Sequence, residues 1–398
     1  MKIGFYSCMT GMPWGGSESL WSRVAHQLLE RGDKVTVNFR WWQSEATELK
    51  MLRDAGASIW FREEPYRPNW TTRLVNRLRQ SSNDAADPRT RIQKWLGTEK
   101  PDFVLVTVGY HPDRIAPADE CIRRGIPYAI NVQCASTNTF ISDSFVDDFR
   151  RAYQNAAKVF FVSQENRDKV ETNLAMTLDN AEIIDNPFNV SFHANPDWPE
   201  AAEHFDLACV GRLHFMSKGQ DLLVHALKHP KWRDRKMRIF LYGKSQGNRH
   251  QMRDLIRQFD LTEKIKFREY ASEMETLWAN HQGLILPSRY EGAPLVVVEA
   301  MLCNRICIAT DVGRNKELID DGETGFIARA PTVEFLDDAL ERAWQRRDEW
   351  RRMGLLAGQR IRQRYGQDPV SDFRDRLISL LPQAATSGVT SFSSGGSS

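Results

Sequence analysis

The sequence has no CxxC pair and no long apolar run. No nearby histidine or second cysteine pair completes a zinc pattern, which argues against a zinc site, and we expect reduced cysteines that mostly fill the core. No apolar segment approaches the roughly 20 residues that a membrane-spanning helix needs. The first residues read directly as a strand, which we interpret as the absence of a secretion signal. The six cysteines are Cys8, Cys121, Cys134, Cys209, Cys303 and Cys307.

The sequence also lacks an excess of charge of either sign, because its basic and acidic residues leave a net charge of only +2. This argues against a general nucleic-acid binder, which needs a clear basic excess. It does not exclude a small anionic ligand, for which a local cluster of cations is enough. We expect a cytoplasmic protein, and peripheral contact with the inner face of a membrane stays open.

Short apolar runs alternate with amphipathic segments along the first half of the chain. The segment Ser17–Arg31 has a helical apolar stripe, and the runs between helices are apolar throughout rather than alternating. Strands of that kind are buried on both faces, so the pattern predicts an α/β fold with a parallel sheet. The predicted strands are Lys2–Tyr6, Lys34–Phe39, Phe103–Val108, Tyr128–Val132 and Val159–Val162.

A second α/β unit follows the segment Ile183–Glu200, whose prolines and asparagines indicate a linker. Its predicted strands are Leu207–Val210, Arg238–Tyr242, Ile265–Phe267, Gly283–Leu286 and Ile306–Thr310, and helices are predicted from Val333 to Leu381. We therefore predict an N-terminal domain over residues 1–187 and a C-terminal domain over residues 188–365. Residues 366–384 are predicted to form a helix that returns to the N-terminal domain, and the Ser/Gly-rich residues 385–398 to be disordered.

The segment Trp70–Trp95 is rich in arginine and carries a partial apolar stripe. Two interpretations stay open. A basic amphipathic helix can contact anionic lipid, and the same pattern is also typical of a solvated helix face.

The segment VGRLHFMSKGQDLL places two cations after a predicted strand. Gly211 lets the backbone turn there, and Arg212 and Lys218 lie on the loop before a helix that begins near Gln220. Ligands of open parallel sheets bind outside the carboxyl ends of the strands. Arginine and lysine at that edge suit a diphosphate, although a pair of solvated surface cations is the alternative.

The segment SRYEGAPLVVVEA carries carboxylates at both ends of an apolar run. Pro294 suits the first position of a helix over Leu295–Leu302, whose free N–H groups would attract phosphate. Glu291 precedes this helix and Glu299 lies inside it; carboxylates are pure acceptors that match the hydroxyl groups of a sugar or ribose. The pattern describes a nucleotide-sugar site. The alternative is a helix-terminal acid and a buried glutamate satisfied by backbone or arginine.

The loop GMPWGGSESLW connects the first strand to the first helix. Gly15 and Gly16 allow a tight turn and Ser17 suits an N-cap, so N–H groups could face an anion there. The loop is not G-x-G-x-x-G, which argues against NAD. A simple capped turn between strand and helix is the alternative.

Three segments in this order and spacing, GRLHFMSKGQDLL, LPSRYEGAPLVVVEAM and DVGRNKELIDDGETGFI, resemble the group 1 (family 4) retaining glycosyltransferases. The resemblance covers residues 206–328 and implies the GT-B architecture, in which two Rossmann-like domains face a cleft. It implies that Arg212 and Lys218 bind the donor diphosphate, that Glu291 contacts the donor sugar, and that Glu299 binds the ribose. It further implies backbone contacts to the donor from Gly292, Ala293, Leu295 and Val296, a base-binding edge at Glu269–Ala271 that includes Tyr270, and a GG-x-E loop of Gly15, Gly16 and Glu18.

Many members of that family have a histidine near the donor sugar in the N-terminal domain. Here Gln133 and Cys134 lie in that neighbourhood, and His111 comes one strand earlier. His111 and Gln133 are therefore candidates on the acceptor side, where a surface-loop histidine is the alternative for His111.

The resemblance implies a retaining hexosyltransferase that moves a sugar from a nucleotide-diphospho-sugar to a glycan or a lipid-linked glycan, as in polysaccharide biosynthesis. The chain has no D-x-D motif, which fits cationic side chains in place of a metal. We expect no metal and no cofactor, the donor being a substrate. A GT-B nucleotide-sugar epimerase and a non-catalytic nucleotide-sugar-binding protein stay open as alternatives.

Overall fold

The structure is a computed structural model that describes residues 1–62, 88–112, 115–136, 138–199, 203–268, 271 and 273–381. Within these residues the strands form two sheets, and every strand pair is parallel. The predicted α/β class with two parallel sheets is confirmed.

The first sheet has seven strands in the order β3-β2-β1-β4-β5-β6-β7. Its central strand β4 is buried along its whole length, as expected for a strand covered by helices on both faces. The strands are β1 (Lys2–Ser7), β2 (Lys34–Phe39), β3 (Ser58–Phe61), β4 (Phe103–Val108), β5 (Tyr128–Val132), β6 (Lys158–Phe161) and β7 (Ala181–Ile183).

The second sheet has six strands in the order β10-β9-β8-β11-β12-β13. Strand β8 lies at the centre, so the loops that follow β8 and β11 are neighbours. The strands are β8 (Phe205–Val210), β9 (Met237–Tyr242), β10 (Ile265–Arg268), β11 (Gly283–Leu286), β12 (Ile306–Thr310) and β13 (Gly325–Ala328).

Helices connect the strands and cover both sheets. Those of the first half are α1 (Gly16–Glu30), α2 (Thr47–Asp54), α3 (Pro88–Glu99), α4 (Ala116–Arg124), α5 (Val146–Gln154) and α6 (Gln164–Leu174). The second half has α7 (Phe215–Lys218), α8 (Gln220–Leu227), α9 (Arg249–Gln258), α10 (Met274–Ala279), α11 (Leu295–Leu302), α12 (Asn315–Leu318), α13 (Val333–Gln345), α14 (Trp350–Arg364) and α15 (Pro369–Ser379), with 3₁₀ turns at Pro230–Trp232 and Arg347–Glu349.

The last helix, α15, packs against the first sheet's domain although the chain reaches it from the second. Phe373 meets Phe160 of β6 edge to face at 4.9 Å between ring centroids. The side chains of Gln27 on α1 and Ser371 are hydrogen-bonded at 3.2 Å. The chain therefore crosses between the two sheets twice. The predicted domain ranges 1–187, 188–365 and 366–384 stay predictions.

Most predicted elements agree with the structure to within one or two residues, and the helix Leu295–Leu302 is found as predicted. The short strands β3 and β7 and the one-turn helix α7 were not predicted. Five of the six cysteines are buried and all six are free, whereas Cys134 is half-buried. The predicted tail and most of the arginine-rich segment lie outside the described residues.

No helix in the described part of the chain is long and apolar enough to cross a membrane.

Candidate donor site at the carboxyl edge of the second sheet

The two predicted donor motifs meet at one edge of the second sheet. Strand β8 pairs with β11 in parallel, so both strands end at the same edge. Arg212 follows β8, and the segment Ser288–Gly292 follows β11. The main-chain N–H of Arg289 donates to the carbonyl of Ser217 at 2.9 Å, which fastens one loop to the other. The motifs, distant in sequence, therefore form one continuous surface.

Lys218 and Glu291 are in direct contact on this surface. Lys218 Nζ lies 2.5 Å from Glu291 Oε1, and the side chains are only 17% and 10% exposed. Ser288 Oγ donates to the same carboxylate oxygen at 2.7 Å. Sequence reasoning placed Lys218 on a loop, but it ends the helix α7. The cation predicted to bind the diphosphate and the carboxylate predicted to bind the sugar thus lie side by side.

Gly219 fixes the position of Lys218. Its φ is +61°, and a Cβ atom there would lie 2.0 Å from the carbonyl oxygen of Pro287. Only glycine fits such a left-handed turn against a neighbouring main chain. The close approach draws the end of α7 onto the end of β11, which brings Lys218 to Glu291.

Arg212 lies where the second domain meets the first. Its Nη1 donates to Gln246 Oε1, and Gln246 Nε2 reaches the carbonyl oxygen of Gly11 at 3.4 Å. Gly211 provides the turn before it, and a Cβ atom on Gly211 would lie 3.5 Å from Lys218 Cδ. The guanidinium is therefore beside the loop between β1 and α1.

The amino end of α11 faces that same loop. Pro294 is the N-cap of α11 rather than its first residue, so our placement of it was one position off. The N–H groups of Leu295 and Val296 precede the first bond of the helix and are available to an anion. A Cβ atom on Gly16 would lie 3.8 Å from Leu295 Cδ1. Gly15 is the N-cap of α1. Two helix amino ends therefore face each other across the cleft.

Glu299 is buried behind this helix end, 3% exposed. Its Oε1 accepts hydrogen bonds from the backbone N–H of Asn189 at 3.0 Å and from Asn189 Nδ2 at 2.7 Å. Burial raises the pKa of Glu299, while the Asn189 hydrogen bonds and the charge of Arg23 act in the opposite direction. Arg23, on α1, donates to Asn189 Oδ1 at 2.6 Å. This is the backbone-satisfied glutamate of the alternative interpretation, and its role as a ribose ligand stays a prediction.

Known proteins resemble this part of the chain in sequence. The sequence model of the family described as "Glycosyl transferases group 1" matches residues 204–346. A glycogen synthase of Pseudomonas syringae pv. syringae is 29% identical over 139 residues, which are 35% of this chain and 28% of that enzyme. A D-inositol 3-phosphate glycosyltransferase of Nocardia farcinica is 30% identical over 159 residues, 38% of this chain and 35% of that enzyme.

Residues 204–346 resemble the group 1 glycosyltransferases.

The whole fold is shared more widely than the sequence. A crystal structure of Anabaena HepE in complex with UDP superposes with a TM-score of 0.71, covering 95% of this chain and 100% of that chain at 16% identity. The two sheets and their cleft are thus the GT-B fold, as predicted. The chain spans about a third of the length of the curated relatives that it matches.

The first domain lies close against the second domain at Gly292. A Cβ atom there would lie 1.7 Å from the carbonyl oxygen of Gln133. Ala293 is 9% exposed and packs with the core of the first domain. The Gln133 amide is not directed at a substrate, because it exchanges hydrogen bonds with Asn186 at 2.9 and 3.1 Å. At Gly292 and Ala293 the structure therefore shows interdomain contacts, and the donor contacts predicted for these residues stay predictions.

His111 is a core residue of the first domain. The ring is 1% exposed, its Nδ1 lies 3.0 Å from the Tyr153 hydroxyl, and it meets Phe149 edge to face at 5.8 Å. Burial lowers the pKa of His111 to about 4. The surface-loop interpretation of this histidine was wrong. The ring is turned to helix α5, so an acceptor could reach it only if that helix moved.

Glu18, the acid of the GG-x-E loop, is fully buried and is hydrogen-bonded to neighbouring side chains of the loop and of α1. Its carboxylate accepts from Trp21 Nε1 at 2.8 Å and from Ser17 Oγ at 3.2 Å. Burial raises the pKa of Glu18. Tyr270 lies outside the described residues. At the cleft the rings of Tyr110 and Tyr290 meet instead, with centroids 5.6 Å apart.

Sequence reasoning missed three contributors to the site. Ser288 stands inside the quoted motif, but nothing in the pattern shows which atom its hydroxyl contacts. Asn189, in the linker, contacts Glu299, and Arg23, on α1, contacts Asn189. No local sequence pattern links either residue to Glu299. In the described residues there is no cluster of three or more His, Cys, Asp or Glu side chains that could hold a metal ion.

Proposed function

We propose that the protein is a retaining glycosyltransferase that uses a nucleotide-diphospho-sugar. The observation that carries the proposal is the meeting of Lys218 and Glu291, 2.5 Å apart, at the edge where α11 begins. A cation, a carboxylate and free helix N–H groups are thereby gathered within one ligand's reach. These are the groups that a sugar diphosphate requires.

In this proposal Arg212 and Lys218 hold the diphosphate with the N–H groups of Leu295 and Val296. Charge builds up on the diphosphate as its bond to the sugar breaks. Preorganised cations and dipoles in a water-poor cleft stabilise that charge without reorganising. The cations take the part that a metal has in other enzymes, so we propose that no metal is needed. Closure of the cleft would limit hydrolysis of the donor.

Glu291 and Glu299 then accept hydrogen bonds from hydroxyl groups at different parts of the donor. Glu291 lies next to Lys218 and therefore at the sugar end of the diphosphate. Glu299 lies one turn into α11, on the ribose side, where its carboxylate accepts hydroxyl donors. The acceptor enters from the first domain, past the loop of Gly15 and Gly16. A glycan or lipid-linked glycan is the proposed acceptor class.

The comparisons support a starting donor. HepE, which has the same fold, was crystallised with UDP and also with UDP-glucose. The curated relatives carry names with different acceptors, glycogen in one case and inositol phosphate in another. We therefore take UDP-glucose as the first donor to test and leave the acceptor to experiment. Cytoplasmic location and peripheral membrane contact stay predictions.

The test is incubation with radiolabelled UDP-, GDP-, ADP- and dTDP-sugars in the presence of glycan and lipid-linked acceptors. The proposal expects a labelled glycoside whose anomeric configuration, read by proton NMR, equals that of the donor. A chelator in a parallel reaction should leave the rate unchanged. Isomerised sugar without transfer would indicate an epimerase, and binding without chemistry would indicate a binding protein.

Two variants complete the experiment. Arg212→Ala should abolish transfer, because the guanidinium beside the diphosphate is removed. Arg257→Ala, on the exposed face of α9, removes a guanidinium that is 66% exposed and serves as the matched control. Inverted product, or equal activity in wild type and Arg212→Ala, would contradict the proposal.

A further inference from the structure

Ser288 has a feature that the proposed mechanism has not used. It is completely buried, yet its hydroxyl donates to Glu291 Oε1 at 2.7 Å. Lys218 Nζ contacts the same oxygen. Within the described residues Glu291 Oε2 accepts no hydrogen bond. One oxygen of the carboxylate is therefore held by the protein twice, and the other is left for a ligand.

The main chain of Ser288, which carries this hydroxyl, is held by the sheet. Ser288 comes two residues after β11, and its carbonyl oxygen accepts from Thr310 Oγ1 at 2.6 Å. Thr310 is the last residue of β12, the strand that pairs with β11. A side chain positioned by two central strands is more rigid than one positioned by a loop. The direction of the Ser288–Glu291 hydrogen bond is thus set by the fold.

Lys218 is a poor candidate for holding the Glu291 carboxylate in one orientation during turnover. In the proposed function its ammonium binds the diphosphate, so its contact with Glu291 must weaken when the donor arrives. Ser288 is neutral and enclosed, and a phosphate would not draw it away. Its hydroxyl can hold Oε1 both before and after the donor binds, which keeps the carboxylate plane constant.

We propose that Ser288 is a positioning residue that orients Glu291, so that Oε2 receives a hydroxyl of the donor sugar. The inference rests on the proposed function, in which Glu291 binds that sugar. It adds that the two oxygens of this carboxylate have different partners: Oε1 accepts hydrogen bonds from the protein, and Oε2 accepts one from the substrate. A merely structural serine, which only closes the turn from residue 288 to 291, is the competing explanation.

A double-mutant cycle separates the two explanations. The four proteins are wild type, Ser288→Ala, Glu291→Ala and the double variant, each assayed for kcat, KM and nucleoside diphosphate affinity. Loss of a hydrogen bond to a charged group should lower the turnover of Ser288→Ala about tenfold. Its affinity for the nucleoside diphosphate should not change, because in the proposed function the sugar is the only part of the donor that Glu291 contacts. In the Glu291→Ala background the serine change should have no further effect on turnover.

Ser163→Ala is the matched control, because Ser163 is also completely buried but caps α6 in the first domain. Its turnover should equal that of wild type. Unfolding midpoints for all variants establish that each is folded at the assay temperature. A Ser288→Ala effect that multiplies with that of Glu291→Ala, or that weakens diphosphate binding equally, would overturn the inference, as would unchanged turnover.

Different results would overturn the proposed function and the role of Ser288. Wild-type protein that converts no nucleotide sugar would overturn the proposed function and this inference with it. Active wild type with an equally active Ser288→Ala variant would overturn the inference alone.

Discussion

Replacing Glu299 by glutamine should stabilise the protein while it weakens nucleotide binding. The carboxylate is 3% exposed, and both of its hydrogen bonds from Asn189 go to Oε1. A glutamine oxygen can accept the same two bonds. The substitution therefore removes the charge and leaves the contacts in place.

Two opposing effects decide the magnitude. Hydrogen bonds to a neutral oxygen are weaker than bonds to a carboxylate by about 1 kcal/mol each. Burying the charge costs several kcal/mol. The pKa of Glu299 is raised, with burial as the largest cause, so the cost of burial exceeds the gain from Asn189 and Arg23. Taken together, the burial cost and the weaker hydrogen bonds lead us to expect a net stabilisation of about 1–2 kcal/mol near neutral pH.

The effect must depend on pH in a definite direction. Below the usual pKa of 4.5 the carboxyl group is protonated in the folded and the unfolded state, so it does not distinguish them. As the pH rises, the unfolded state ionises first and the wild type loses stability until the folded carboxyl group ionises as well. The advantage of Glu299→Gln should therefore grow as the pH rises above about 5.

Urea unfolding midpoints at several pH values measure this difference. Glu48→Gln, at an exposed position of α2, is the control and should show no such trend. A Glu299→Gln variant that is less stable than wild type at about pH 8, or a difference that is constant with pH, would refute the reasoning. The same variant should bind the nucleoside diphosphate about tenfold more weakly if Glu299 accepts ribose hydroxyls.

Three further changes test other parts of the structure. Burial lowers the pKa of His111 from 6.5 to about 4, so the wild type should lose about 3 kcal/mol of stability as the pH falls through that range. In urea unfolding, His111→Gln should reduce the dependence of the unfolding free energy on pH. An unchanged pH dependence would count against a buried neutral ring. Lys218→Met should lower the unfolding free energy by about 1–3 kcal/mol because it leaves Glu291 without its cation. The added change Glu291→Gln should restore part of that loss, and a double variant no more stable than Lys218→Met would argue against the pair. Gly292→Ala would place a Cβ atom 1.7 Å from the Gln133 carbonyl oxygen, so it should abolish transfer while calorimetry still detects nucleotide binding; full activity would contradict the interdomain contact.

Much of this fold could be predicted from the sequence because its strands are apolar throughout and its helices are periodic. Strands β2, β4 and β12 have the predicted bounds. The short strands β3 and β7 have only four and three residues, too few to show a period. Helix α7 is a single turn whose formation depends on Gly219 packing against Pro287, a contact between distant segments. The local pattern contains no information about that contact.

The donor motifs were predictable for a similar reason, and their contacts were not. Charge type and position after a strand indicated Arg212, Lys218 and Glu291. That Lys218 and Glu291 touch follows from the pairing of β8 with β11, which is a property of the sheet. The burial of His111 likewise depends on Tyr153, which is 42 residues away. In each case the missing information was tertiary.

The central claim, a nucleotide-sugar site at the edge of the second sheet, is tested most directly by unfolding the protein with donors present. The measurement is the thermal unfolding midpoint of wild type and Arg212→Ala with UDP-, GDP-, ADP- and dTDP-sugars. At about 100 times its dissociation constant a bound donor adds about 2.7 kcal/mol to stability. We predict that at least one donor raises the midpoint of wild type and that Arg212→Ala loses most of the shift. No shift with any donor, or an equal shift in both proteins, would contradict the site described here.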